Sequence, residues 1–175
     1  MKYTKIPSAT FEQIQINAGL LLSSFDPSSP DVDDSYILGA TSGGINFTAT
    51  PSFVDFGADI DNCPKNTMEL KLLDDVEVKC TGSFVSINGQ LAKRLVPDGI
   101  LSSGHVTARG YLRTADFLDL WIVGDYSDKN DANNAGFVAI RMLNTLSTGG
   151  FQMQTTDKEK GKFSFEFSAE SLTLP

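Results

Sequence analysis

The chain has 175 residues, 41% of them hydrophobic and 21% charged, enough for one globular domain with a sizeable core. Its 22 acidic residues against 14 basic ones leave a net charge of -8, which disfavours a surface built to grip nucleic-acid phosphates. No apolar run approaches the roughly 20 residues needed to cross a bilayer, so no membrane span is expected.

In chain order, Lys2 and Lys5 are followed by Pro7, Ser8, Glu12 and Gln13, with no continuous apolar stretch of a secretion signal. Residues 1–12 are read as an N-terminal arm of a cytosolically made protein. From Ile6 to Pro64 there are eight carboxylates and no Lys or Arg. That acidic third is either a solvated face or a surface that repels a polyanion or meets a basic neighbour.

Ile45, Phe47 and Ala49 alternate with Asn46, Thr48 and Thr50, the period-two signature of a strand with one wet face. Residues 52–66 read as a long loop, unusual in containing Phe53, Val54, Phe56 and Ile60. Those side chains either fold back on their own sheet or meet another protein. Val76, Val78, Cys80 and Phe84 oppose Glu77, Lys79 and Thr81 in a further strand pattern. Asn88 can cap a short helix carrying Leu91, Ala92, Leu95 and Val96 on one stripe, with Pro97 as its stop.

Two runs, Leu118 to Val123 and Phe137 to Leu143, are apolar on both parities, as expected of strands covered on both sides by packing or by a partner subunit. Between them, residues 124–136 form a run of turn residues read as a hairpin loop. Phe151 and Met153 alternate with Gln152 and Gln154, and Phe163, Phe165 and Phe167 alternate with Ser164, Glu166 and Ser168. A charged tip at residues 157–162 joins these two strands. The sum is an all-β, mainly antiparallel sandwich or barrel with one short flanking α-helix, forming a single domain over residues 1–175.

Catalytic chemistry finds little to work with. His105 is the only histidine, so a serine or cysteine nucleophile lacks its usual base, and the elbow-like segment Gly39 to Gly43 has Thr41 at its centre. Asp125, Asp128, Asn130 and Asp131 fail the calcium-loop pattern, because Asn133 stands where Gly is needed and no Glu closes the loop. Cys63 and Cys80 lack CxxC spacing and read as free thiols. The pairs Asp59/Asp61 and Asp74/Asp75 have no partner carboxylate placed across a cleft. The expectation is a building block, neither an enzyme nor a holder of a cofactor or metal.

Three blocks, Lys65 to Ser86, Asp116 to Asp128 and Leu146 to Lys158, taken in that order, resemble the tail tube (major tail) proteins of long-tailed bacteriophages. Members of that family form six-membered rings stacked into a hollow tube of the virion tail. Tape measure protein fills the tube before the genome, double-stranded DNA, passes through it without specific binding. The resemblance implies self-association into rings, further partners in the tape measure and tail-tip or terminator proteins, and assembly in the bacterial cytoplasm.

It makes the segment from Ser52 to Asn66 the inter-ring stacking loop, with Phe53 and Phe56 as apolar anchors and Asp59 and Asp61 as polar rim. It assigns Asn46, Thr48, Thr50, Glu69, Gln152, Gln154 and Glu166 to the lumen, with Lys71 on the same parity complicating an acidic wall. Two alternatives stand beside it. One is a tube subunit of a contractile tail or injection machine; the other is a carbohydrate- or receptor-binding β-sandwich, which would want an exposed aromatic platform.

Overall fold

The computed structural model describes residues 5–7, 10, 14–29, 31–126 and 136–173. Ten strands account for most of the regular structure: β1 (Gln15–Leu22), β2 (Thr41–Asp55), β3 (Lys71–Phe84), β4 (Gly99–Ser102), β5 (His105–Ala108), β6 (Leu118–Tyr126), β7 (Phe137–Ser147), β8 (Gln152–Gln154), β9 (Lys162–Ala169) and β10 (Ser171–Thr173). One α-helix, α1 (Gly89–Leu95), follows β3. Strand pairing is antiparallel throughout, so the all-β expectation with one short helix holds. The sheet stays open and does not close into a barrel.

Eight strands form one hydrogen-bonded sheet, six of them in the order β1-β6-β7-β9-β3-β2, with β10 beside β7 and β8 beside β9. Strand β7 belongs to both halves. Its length from Phe137 to Thr145 pairs with β6, and its last residues, Leu146 and Ser147, pair with Ser168 and Phe167 of β9. Side chains of the two halves meet in one core: Leu21, Leu120, Ile122 and Met142 from one, Val78, Cys80, Phe165 and Phe167 from the other, closed at one end by Leu91 and Leu95 of α1. Burying these side chains supplies about 1.5–3 kcal/mol apiece toward folding.

The alternating strands occupy the core as their parity requires, with Phe163, Phe165 and Phe167 buried and the intervening polar residues more exposed. Strand β8 departs from this rule. Phe151 and Met153 remain about half exposed, because β8 is a three-residue edge strand with no opposing layer. The helix is as expected: the Asn88 side chain accepts from Leu91 N at 2.8 Å, and Leu91 and Leu95 are buried.

The doubly apolar strands β6 and β7 are central in the sheet. Their second face is covered by the chain itself: Leu22, Phe25, Val123 and Ala139 form a second cluster, packed by Val32, Ile37, Trp121 and Phe137. Phe25 meets Trp121 and Phe137 edge-on, with ring centres 5.7 and 5.3 Å apart. The segment after β1 folds over this face, so no partner subunit is required to cover it. The β4–β5 hairpin turns at Ser103 and Gly104, both with positive φ, and His105 opens its second strand. Most of the N-terminal arm and of the expected 124–136 loop lies outside the described residues.

Candidate functional site

Strands β2 and β3 outrun the rest of their sheet. The pairing of β3 with β9 ends at Val78, whereas its pairing with β2 continues to Asp55 and Lys71. Beyond Thr50 and Glu77 the hairpin therefore has no third strand, and at about 3.4 Å per residue it projects roughly 20 Å before its turn. A two-stranded ribbon cannot bury its own apolar side chains. Phe53 is 52% exposed and Phe56 60%, and Ile60, Met68, Leu72 and Leu73 are exposed with them.

The connection between the strands spans residues 56–70, not 52–66 as expected. Phe53 is a strand residue paired with Leu73, because Phe53 and Val54 have strand-forming partners across the ribbon and turn chemistry begins only at Gly57. Asp55 closes the turn, accepting from Gly57 N at 2.9 Å and from Asn66 N at 3.3 Å. The Lys71 ammonium lies 4.8 Å from the centre of the Phe53 ring. Asp59 and Asp61 stand exposed on the turn.

A register shift between Ser52 and Phe53 explains a second difference. Ser52 pairs with Asp75 and Phe53 with Leu73, leaving Asp74 as the extra residue of a bulge. Past the bulge the parity of β3 reverses, so Lys71, paired with Asp55, leaves the polar face to which simple alternation assigned it. Glu69 lies on no sheet strand: it sits exposed in a single 3-10 turn, Met68–Leu70.

The other six residues assigned to a lumen share one sheet face. Asn46 pairs with Thr81 and Thr81 with Glu166; Thr48 pairs with Lys79 and Lys79 with Ser168; Thr50 pairs with Glu77. On β8, Gln152 and Gln154 pair with Ser164 and Lys162. The face is polar throughout this area and contains a cation, Lys79, at its middle. The Lys79 Nζ lies 2.6 Å from Glu77 and 4.0 Å from Glu166. The Glu77 hydrogen bond holds the Lys79 ammonium above its ordinary value. Thr148 Oγ1 binds both Glu166 Oε1, at 3.1 Å, and Ser168 Oγ, at 2.9 Å.

A cavity of about 370 Å³ opens between α1 and the end of β7. Its wall includes Asn88, Lys93, Arg94, Asp116, Ser147 and Phe167. Arg94 donates to the Asp119 carbonyl at 2.6 Å and lies 6.0 Å from the Phe167 ring centre. Burial pulls its guanidinium down to about 10, with the Asp119 charge opposing. Asp116 is engaged by the Arg109 guanidinium in a nearly buried ion pair and accepts from Arg113 N. Cys80 is buried in the core, its thiol pushed up to about 12. Trp121 is half-buried under Phe25 and the Arg141 guanidinium, which is not the open platform a sugar would need.

No helix is long and apolar enough to cross a membrane among the described residues. A comparison with protein-family models finds no match, and a comparison with curated proteins finds none either.

Proposed function

We propose that this chain is a self-assembling structural subunit whose copies form rings stacked into the hollow tail tube of a long-tailed phage, with the polar face of β2, β3, β9 and β8 turned to the lumen. The observation that carries the reading is the β2–β3 hairpin, which leaves the body of the sheet with apolar side chains on both of its faces. Exposure on that scale is costly to an isolated chain and is relieved by burial against another copy.

Two further features support the same reading. Strand β2 is an edge strand of 15 residues with no second hydrogen-bonded strand among the described residues, and β8 is the short edge at the other side of β9. Long unpaired edges are aggregation-prone unless assembly pairs them, and ring closure does so. The polar face offers hydroxyls, amides and carboxylates around two lysines, Lys79 paired with Glu77 and Lys162 at the β8 end, a surface with little positive charge to hold a passing duplex.

Sedimentation of the purified protein over a range of concentrations tests the proposal. Cooperative growth of large particles above a threshold concentration supports it. A strict monomer at every concentration, with or without tail-tip and tape measure proteins, overturns it.

A further inference from the structure

The hairpin tip and the cavity beside α1 are complementary in charge and in chemistry. Between Asp55 and Asp75 the hairpin carries six carboxylates against Lys65 and Lys71. The segment from Ile87 to Leu118 reverses that balance, with Lys93, Arg94, Arg109 and Arg113 against Asp98 and Asp116. Both of those carboxylates are already engaged: Asp98 accepts from Gly110 N at 2.5 Å, and Asp116 is held by Arg109. In a chain of net charge -8, this is a local surplus of positive charge.

The cavity also lacks a polar partner. Ser147, 4% exposed, lines it, and its Oγ is the one buried side-chain polar atom without a hydrogen bond among the described residues. Such an orphan costs about 1–3 kcal/mol unless something satisfies it. Arg94 offers more donors than its bond to the Asp119 carbonyl uses among the described residues. A ligand suited to this site brings oxygen acceptors and negative charge together with apolar bulk for the Leu91 and Phe167 side of the wall. The tip supplies both, with Asp59 and Asp61 flanking the exposed Ile60, and Phe56 nearby.

We infer that the cavity between α1 and the end of β7 is the receptor for the β2–β3 hairpin tip of a second copy, Asp59 and Asp61 meeting Lys93 and Arg94 while Ile60 enters the cavity. The inference rests on the assembly reading above and deepens it, naming the surface on which the hairpin docks. Because tip and receptor are different surfaces of one chain, the contact is heterologous and propagates from copy to copy.

The test is a charge swap with a covalent readout. Lys93 is exposed, so Lys93→Glu leaves the fold intact and should raise the concentration needed for assembly by roughly tenfold or more. Asp59→Lys with Asp61→Lys should do the same, and combining the two sets should restore assembly. In a Cys63→Ser background, a copy carrying Ile60→Cys mixed with a copy carrying Gln90→Cys should yield an intermolecular disulfide that maps to those two positions. Wild-type assembly with cross-links from position 60 to another surface, or charge variants that assemble normally, would overturn the receptor while leaving the assembly reading in place. A wild-type chain that never associates would overturn both.

Discussion

Replacing Phe53 and Phe56 together by Ala separates assembly from folding. A Phe side chain presents about 150–250 Å² for burial, and in the isolated chain Phe53 is 52% and Phe56 60% exposed. Roughly 100 Å² on each ring is therefore left for a neighbour to cover, worth about 2.5 kcal/mol per ring at ~25 cal/mol per Å². Losing both costs an assembling subunit about 5 kcal/mol, which raises the threshold concentration on the order of a thousandfold. The isolated chain loses little, since Phe53 touches only the ribbon and the Lys71 ammonium; a change of about 1 kcal/mol or less is expected. Sedimentation read beside urea unfolding checks both halves. Unchanged assembly refutes the interface role of these rings, and a fall of several kcal/mol in monomer stability refutes the description of the hairpin as unpartnered.

Gly82 in β3 faces the Phe165 ring, and a Cβ there would lie 2.7 Å from Phe165 Cζ and 3.1 Å from the Gly44 carbonyl oxygen. Gly82→Ala should destabilise by about 1–3 kcal/mol, and much of that cost should vanish in a Phe165→Leu background, a non-additivity measurable by a double-mutant cycle in urea. Asp116 is held below the usual carboxylate range by its hydrogen bond from Arg109, assisted by Arg113 N. Its folded value thus lies below the unfolded one of about 3.9, so the pair's stabilisation is present above that pH and fades as pH falls through the folded value. Asp116→Asn should flatten this acid limb of a stability profile, and an unaltered limb would count against the pair. Cys80 is buried with its thiol raised to about 12, whereas Cys63 is only half-buried. A thiol reagent at neutral pH should modify Cys63 in the folded chain and both cysteines after unfolding; rapid double labelling of the native protein would contradict the core placement.

The elements legible in the sequence are those whose signal is local. Phe163, Phe165 and Phe167 declare a strand by alternation alone, and Asn88, the Leu91–Leu95 stripe and Pro97 delimit α1 within one turn's reach. What escaped depends on pairing across distance. The bulge at Asp74 follows from which residue faces Phe53, and Leu72–Leu73 opposite Phe53–Val54 is apolar on either parity, so alternation cannot reveal the slip that removes Lys71 from the polar face. Likewise, the doubly apolar β6 announced a second covered face, but Phe25, which covers Trp121 from nearly a hundred residues away, carries no local mark of that contact. Six of the seven residues assigned to a lumen do share a face because they lie on regular strands, and Glu69 fails because a 3-10 turn has no sheet parity. The Ser147 cavity had no sequence signal, since an unpaired hydroxyl is visible only once its surroundings are packed.

Electron microscopy of the purified chain at high concentration, negatively stained and prepared with and without tail-tip and tape measure proteins, addresses the assembly claim most directly. Hollow rings or stacked tubes of uniform diameter, absent from the Phe53→Ala and Phe56→Ala double variant, are the predicted result. Dispersed monomers under all of these conditions would contradict it.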